Sequence, residues 1–247
     1  MLAGWRDAGL GRTIIVDPHL QAAPEGATLL ADPAAIPADF APAAVILAIK
    51  PQEAAASLPH YGRFASSAVF VSIMAGPTIA RMQAALGGQA PVVRAMPNTP
   101  AAVRRGFSVA VPSAEVSAAQ RALADRLLAA IGEVAWVDQE SLIDPVTAVS
   151  GGGPAYVFLL VEVLERAAIE QGLPPDLARR MARSTVAGSG ALLDAATEDA
   201  AVLRRNVTSP KGTTERALAV LMAESAWPGL MSQAIDAATR RSRELAG

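Results

Sequence analysis

Ala44-Val-Ile-Leu-Ala-Ile49 is an unbroken apolar run, and Lys50-Pro51-Gln52 follows it directly. A run this short and this apolar fits a strand covered on both faces, because a solvated face would demand alternating polar residues. Pro51 has no N–H for a ladder, so the strand must end before it. An Ala-rich helical stretch, Glu53–Tyr61, comes next. The same alternation runs outward in both directions. Further strands are expected at Thr13–Asp17, Ala68–Ile73, Pro91–Ala95, Phe107–Val111 and Glu133–Val137, with helices at Thr78–Leu86 and Ala118–Ile131. In the last of these, Ser117 and Gln120 have the spacing of a capping box, Leu123, Leu127 and Ile131 share a face, and Gly132 ends the helix. Strands alternating with helices predict a mostly parallel α/β sheet.

The pattern changes near residue 138 and is helical from there to the end, which divides the chain into 1–137 and 138–247. Ser150-Gly-Gly-Gly-Pro154 is expected to break the chain, and Pro154 suits the first turn of a helix reaching Gln171. That helix is apolar on every side for two turns. It therefore needs cover on more than one face, from the core of a monomer or from a second subunit. Asp176–Asp194 forms another helix. Its Ala187-Gly188-Ser189-Gly190-Ala191 stretch implies close helix–helix approach or an ordinary break. Thr213–Met222 and Gly229–Leu245 complete the set.

The 247 residues carry a net charge of −2, with 52% hydrophobic and 18% charged side chains. No cluster of Lys and Arg exists to neutralise phosphates, so no nucleic-acid partner is expected. No apolar run reaches the 18 residues of a membrane helix, so no membrane partner is expected. There is no cysteine, which excludes disulfides and thiol nucleophiles, and is compatible with a reducing cytoplasm, the expected location. His19 and His60 lie far apart without ligand-like neighbours, which argues against a metal site or a Ser-His-Asp triad.

Five segments have chemistry to offer. Ala48-Ile49-Lys50-Pro51 and Ser72-Ile73-Met74-Ala75-Gly76 follow strands, where ligands bind in doubly wound sheets. Each can equally be a strand end with a turn. Arg94-Ala95-Met96-Pro97-Asn98-Thr99-Pro100 holds Asn98 in a stiff loop, to present an amide or to form a turn. Val149-Ser150-Gly-Gly-Gly-Pro-Ala-Tyr156 allows close backbone approach, or serves as a hinge. Val207-Thr-Ser-Pro-Lys211-Gly212-Thr213-Thr214-Glu215 opens a helix whose free N–H groups suit a carboxylate, unless the threonines simply cap it. Asp17, ending its strand, is placed to accept from a ribose 2′-hydroxyl, or to start a turn before Pro18.

Taken in this order, Ile-Lys-Pro, Met-Pro-Asn-Thr-Pro, Ser-Gly-Gly-Gly-Pro-Ala-Tyr and Thr-Ser-Pro-Lys-Gly-Thr-Thr resemble the signature series of the pyrroline-5-carboxylate reductases. The resemblance runs from residue 1 to the end. It implies a Rossmann domain followed by an all-α dimerisation domain, a homodimer or a larger oligomer of dimers, and reduction of 1-pyrroline-5-carboxylate to proline with NADPH or NADH. It also implies roles. Lys211, Gly212, Thr213 and Thr214 would hold the substrate carboxylate, with Ser150 near the active site, and the Thr214 hydroxyl would bond the ring nitrogen as the catalytic group. Asp17, Ala48, Ile49, Lys50, Pro51, Met96, Pro97 and Asn98 would border the cofactor.

Some features depart from the resemblance. Lys211 and Thr213 stand in a loop where relatives often have Ser-Pro-Gly-Gly followed by Ala or Thr, and Gly152 stands where many have Ser. Met1–Leu10 matches the second half of the first Rossmann helix. The first strand and its Gly-x-Gly-x-x-Gly turn, roughly 20 residues, would then precede Met1. A misassigned start is the simplest account, and nucleotide binding without that turn is expected to be poor. Two other readings compete. A β-hydroxyacid dehydrogenase would need a lysine within Gly151–Glu170, and none is there. A non-catalytic dimeric interaction protein would not need the Gly212-Thr213-Thr214 turn.

Overall fold

The computed structural model describes residues 2–7 and 11–246. Of the stretch Met1–Leu10, residues 1 and 8–10 lie outside the described residues, and Leu2–Asp7 forms helix α1. Contacts divide the chain into two compact units: 1–151 together with 238–247, and 152–237.

The first unit is built on strands. β1 (Thr13–Val16) and β2 (Ala27–Leu30) form a two-stranded parallel sheet. β3 (Ala44–Leu47), β4 (Val69–Ser72), β5 (Val92–Met96), β6 (Gly106–Pro112) and β7 (Gly132–Trp136) form a five-stranded sheet in chain order. All its pairings are parallel except β5 with β6. The six expected strands are all present, within two residues at each end, and the mostly parallel α/β class holds. β2 was not expected. Its four residues Ala-Thr-Leu-Leu lack the β-branched density that marks the other strands.

The sheet is covered on both faces, as unbroken apolar strands require. Along β4, Val69 and Val71 join one buried cluster and Phe70 the other. Along β5, Val93 and Ala95 alternate with Val92 and Met96 in the same way. On one face lies α4 (Ala118–Ala129), through Ala124 and Leu128. Leu128 is fully buried, which contributes about 1.5–3 kcal/mol. The expected capping box starts this helix. Ser117 Oγ accepts from Gln120 N–H at 3.3 Å, and Gln120 Oε1 accepts from Ser117 N–H at 3.0 Å. On the other face lie α3 (Ile79–Ala85), through Ile79 and Met82, and the segment 51–64. That segment is a short helix α2 (Ala54–Ser57) between 3₁₀ turns rather than one helix over Glu53–Tyr61. Pro59 and Gly62 explain the difference, since neither suits a helix interior.

Beyond β7 the chain runs through a 3₁₀ turn, α5 (Ile143–Val146) and a π turn at Thr147–Gly151 before α6 (Gly153–Glu170) begins. The π turn ends at Gly151, and Gly152 is a bend that serves as the N-cap of α6, so the glycine run separates the two as expected. The resulting stretch, Glu140–Glu170, is long and apolar enough to cross a membrane by length and composition alone. No unbroken apolar run within it reaches 18 residues, and the average over 18 residues is high because it tolerates the small and polar side chains that interrupt such a run.

The second unit is helical. Pro154 sits in the first turn of α6, and Gly172, at φ +89°, ends it. α7 (Pro175–Ala195) packs against α6, burying Ala178 and Ala182. It passes through Gly188 and Gly190 without a break, and a Cβ at either would meet nothing within 4 Å. α8 (Ala200–Asn206) was not expected. α9 (Thr213–Leu221) and α10 (Trp227–Ala246) were. The last residues of α10 belong to the first unit, where Ser242 Oγ donates to Asp144 Oδ1 at 2.7 Å.

Candidate active site

The register of the large sheet brings most of the expected cofactor residues to one edge. Leu47 pairs with Ser72, and Ser72 with Arg94, along three parallel strands. Their carboxyl ends therefore emerge side by side. Ala48-Ile49-Lys50-Pro51 leaves β3, Ile73–Gly76 leaves β4, and Pro97-Asn98 leaves β5. Lys50 is exposed and Pro51 begins a 3₁₀ turn. Ile49 packs on the core, and Met96 is buried in it. Met96 Sδ lies 3.5 Å from where a Cβ on Gly151 would stand, so the π turn closes on the end of β5.

Asn98 joins this loop to that turn. Its Oδ1 accepts from Phe107 N–H at 2.9 Å, and its Nδ2 donates to Ser150 Oγ at 3.2 Å. The Phe107 donor fixes which way the amide faces. Asn98 and Ser150, expected separately, are thus partners. Most of the amide is spent inside the protein, and what remains is one Nδ2 hydrogen and one lone pair.

Sequence reasoning did not single out Arg94, which is 2% exposed at the end of β5. Its Nη1 meets Glu140 Oε1 at 2.8 Å and its Nη2 donates to Gly76 O at 3.1 Å. Glu140 Oε1 also accepts from Ile79 N–H at 2.8 Å. One ion pair therefore ties β5, the loop after β4, the start of α3 and the approach to α5. Gly76, at φ +101°, must be glycine, because a Cβ there would press on the Leu245 carbonyl at 2.9 Å. The signal for this knot was the charge itself, an arginine inside an apolar strand.

Asp17 lies on the other sheet. Its N–H donates to Leu30 O at 2.9 Å, which extends the β1–β2 ladder by one residue. Its Oδ1 accepts from His19 N–H at 2.8 Å and Leu20 N–H at 3.2 Å.

In the second unit, the turn before α9 carries Lys211 to Thr214. Lys211 adopts a left-handed backbone, at φ +60°, and its N–H donates to Glu215 Oε2 at 2.9 Å. Gly212 is the N-cap, and no side chain caps it. A Cβ at Gly212 would lie 2.9 Å from Ser209 O, so only glycine fits. The threonines do not cap the helix. Among the described residues, the Thr213 and Thr214 hydroxyls and N–H groups have no partner, so the turn offers donors on an exposed helix start. A neighbouring groove of about 320 Å³ is lined by Arg204, Arg205, Thr208, Glu215, Leu218, Ala219 and Met222, and by no residue from Lys211 to Thr214.

Comparison with known proteins gives this arrangement a family. The family described as pyrroline-5-carboxylate reductase dimerisation matches residues 140–245. The chain is 43% identical over 203 residues to the pyrroline-5-carboxylate reductase of Pseudomonas aeruginosa, covering 82% of this chain and 74% of the relative. The structure of a pyrroline-5-carboxylate reductase from Coxiella burnetii superposes with a TM-score of 0.82 at 33% identity, over 90% of this chain and 82% of that one. The Plasmodium falciparum pyrroline carboxylate reductase with NADP bound shares the fold at 24% identity, with a TM-score of 0.84 over 99% of this chain and 92% of that one. With 43% identity across three quarters of one relative, the expected signatures in order and a matching fold, the chain belongs to the pyrroline-5-carboxylate reductase family.

Proposed function

We propose that this chain reduces 1-pyrroline-5-carboxylate to proline with NADH or NADPH, the last step in making that amino acid, in the cytoplasm. Residues 1–137 serve as the dinucleotide half, and 138–247 as the dimerisation and substrate half. The observation that carries the reading is the turn before α9. Its N–H groups and two hydroxyls, without partners among the described residues, and the positive end of the helix suit a small carboxylate. The cofactor fits the carboxyl edge of the large sheet, where Ala48 to Pro51 and Met96 to Asn98 emerge and Lys50 faces solvent.

When bound, the dinucleotide supplies hydride to the imine carbon. The protein's task is then alignment, because a protonated cyclic imine is already electrophilic. Gly212, Thr213 and their neighbours hold the carboxylate. Thr214 Oγ1 bonds the ring nitrogen and keeps its proton in place. Asn98, fixed by Phe107 and bonded to Ser150, braces the β5 loop and the π turn as one wall for the nicotinamide half. Lys211, with its N–H bonded to Glu215, shapes the turn.

The test is pyrroline-5-carboxylate-dependent oxidation of NADH or NADPH, with proline measured as product. Thr214→Val keeps the fold, since the hydroxyl bonds nothing among the described residues, and lowers turnover at least about tenfold. Unchanged turnover removes Thr214 from the mechanism. A soluble dimer with no turnover at all moves the chain to the reading of a non-catalytic interaction protein derived from the family.

A further inference from the structure

We infer that Asp17 makes the chain selective for NADH over NADPH; the inference rests on the reductase reading and deepens it. α1 leads into β1, and Asp17 stands at the carboxyl end of that strand. In dinucleotide-binding units, an acidic side chain after the strand that follows the first helix accepts from the ribose 2′-hydroxyl.

Three features suit Asp17 to this. Its backbone is fixed by the bond to Leu30 O. Its carboxylate is oriented by the two N–H groups that reach Oδ1 from His19 and Leu20. Its second oxygen has no partner among the described residues. One carboxylate oxygen, held in place and unspent, matches a hydroxyl donor.

The surrounding charge points the same way. From Thr13 through Ile49 there is no Lys or Arg, while Asp17, Glu25, Asp32 and Asp39 are acidic. A 2′-phosphate monoester brings nearly two negative charges and needs a cation. Arg12 precedes β1, roughly 16 Å of extended chain from Asp17 at ~3.3 Å per residue, and its guanidinium stacks over the Phe40 ring at 5.3 Å. Lys50, the next basic residue, follows β3 of the other sheet. The 2′-phosphate of NADPH would therefore meet a carboxylate with no counter-charge in this segment.

The experiment is equilibrium binding of NADH and of NADPH to the purified protein without substrate, read by nucleotide fluorescence, for the wild type and Asp17→Asn. Asparagine keeps the acceptor for His19 and Leu20 and removes only the charge. The wild type should bind NADH at least about tenfold more tightly than NADPH, and the variant should close most of that gap by gaining NADPH affinity. Equal affinities in the wild type, a preference for NADPH, an unchanged ratio in the variant, or binding of neither dinucleotide would each overturn the assignment. Its failure is separable from that of the reductase reading. Turnover of pyrroline-5-carboxylate with NADPH favoured would sink only the selectivity. Selective NADH binding without turnover would sink only the reaction.

Discussion

Arg94 and Glu140 show how much one side chain can organise. Arg94 is 2% exposed and Glu140 29%, so water can replace a lost partner for the carboxylate but not for the guanidinium. Glu140→Gln leaves a buried cation with only Gly76 O and a neutral amide, and should cost about 3 kcal/mol or more. Arg94→Met leaves Glu140 its bond from Ile79 N–H and access to solvent. It also removes Arg94 Nε, which has no partner, and should cost about half as much. Urea unfolding of the two variants checks the order, and the reverse order would mean that Arg94 is solvated from a side that the static structure closes. Residues of this kind are hard to read in sequence. Asn98, between two prolines, was legible as a rigid site. Its partners Phe107 and Ser150 were not, because they are 9 and 52 residues away and no local rule links them. Arg94 is not legible in the sequence, because its meaning depends on Glu140, 46 residues on.

Whole elements were legible where local chemistry repeats. The Ser117–Gln120 box, the apolar strands and Pro154 each specify structure within a few residues, and all stand as expected. β2 and α8 were missed because four and seven residues give too little periodicity to read. The break expected at Ser150–Pro154 falls at Gly152, but the π turn at Thr147–Gly151 before it has no local signature in the sequence. Glycine also has an element-scale role at the β6–β7 pairing, where Gly106 and Gly132 face each other. Gly132 has φ +147°, and a Cβ there would run into the Gly106 backbone. Gly87 has φ +94° and open space around it. The two positions separate conformational strain from collision. Gly87→Ala should cost about 1 kcal/mol, the strain alone. Gly132→Ala should cost at least about 3 kcal/mol, because the strands must part as well. Thermal unfolding measures both, and equal losses would show that backbone strain accounts for everything.

The second unit cannot be a finished core. Its buried apolar side chains are alanines, Ala178 and Ala182. Phe158 is 61% exposed on α6 and Leu192 57% on α7, with Val163, Leu164, Met181 and Leu193 also open to solvent. Just 6% of the most apolar window within Glu140–Glu170 is buried. Obligate homodimers show this pattern, a domain core cut in half. The match to the dimerisation family over residues 140–245 supports a second copy of the chain as the cover. The open glycines of α7 fit the same cover, since small residues let a facing helix approach. Replacing a side chain that its own subunit leaves exposed should spare that subunit and damage only the association. Phe158→Glu together with Leu192→Glu should therefore turn a dimer into a monomer in sedimentation, with the strand-rich first unit still folded by circular dichroism. Wild-type melting should fall on dilution, because association and folding of the helical half are linked, whereas the variant's should not. A double variant that still sediments as a dimer and melts as the wild type would place the interface on other faces. A wild-type monomer that partitions into phospholipid vesicles would mean that lipid, not a second copy, covers α6.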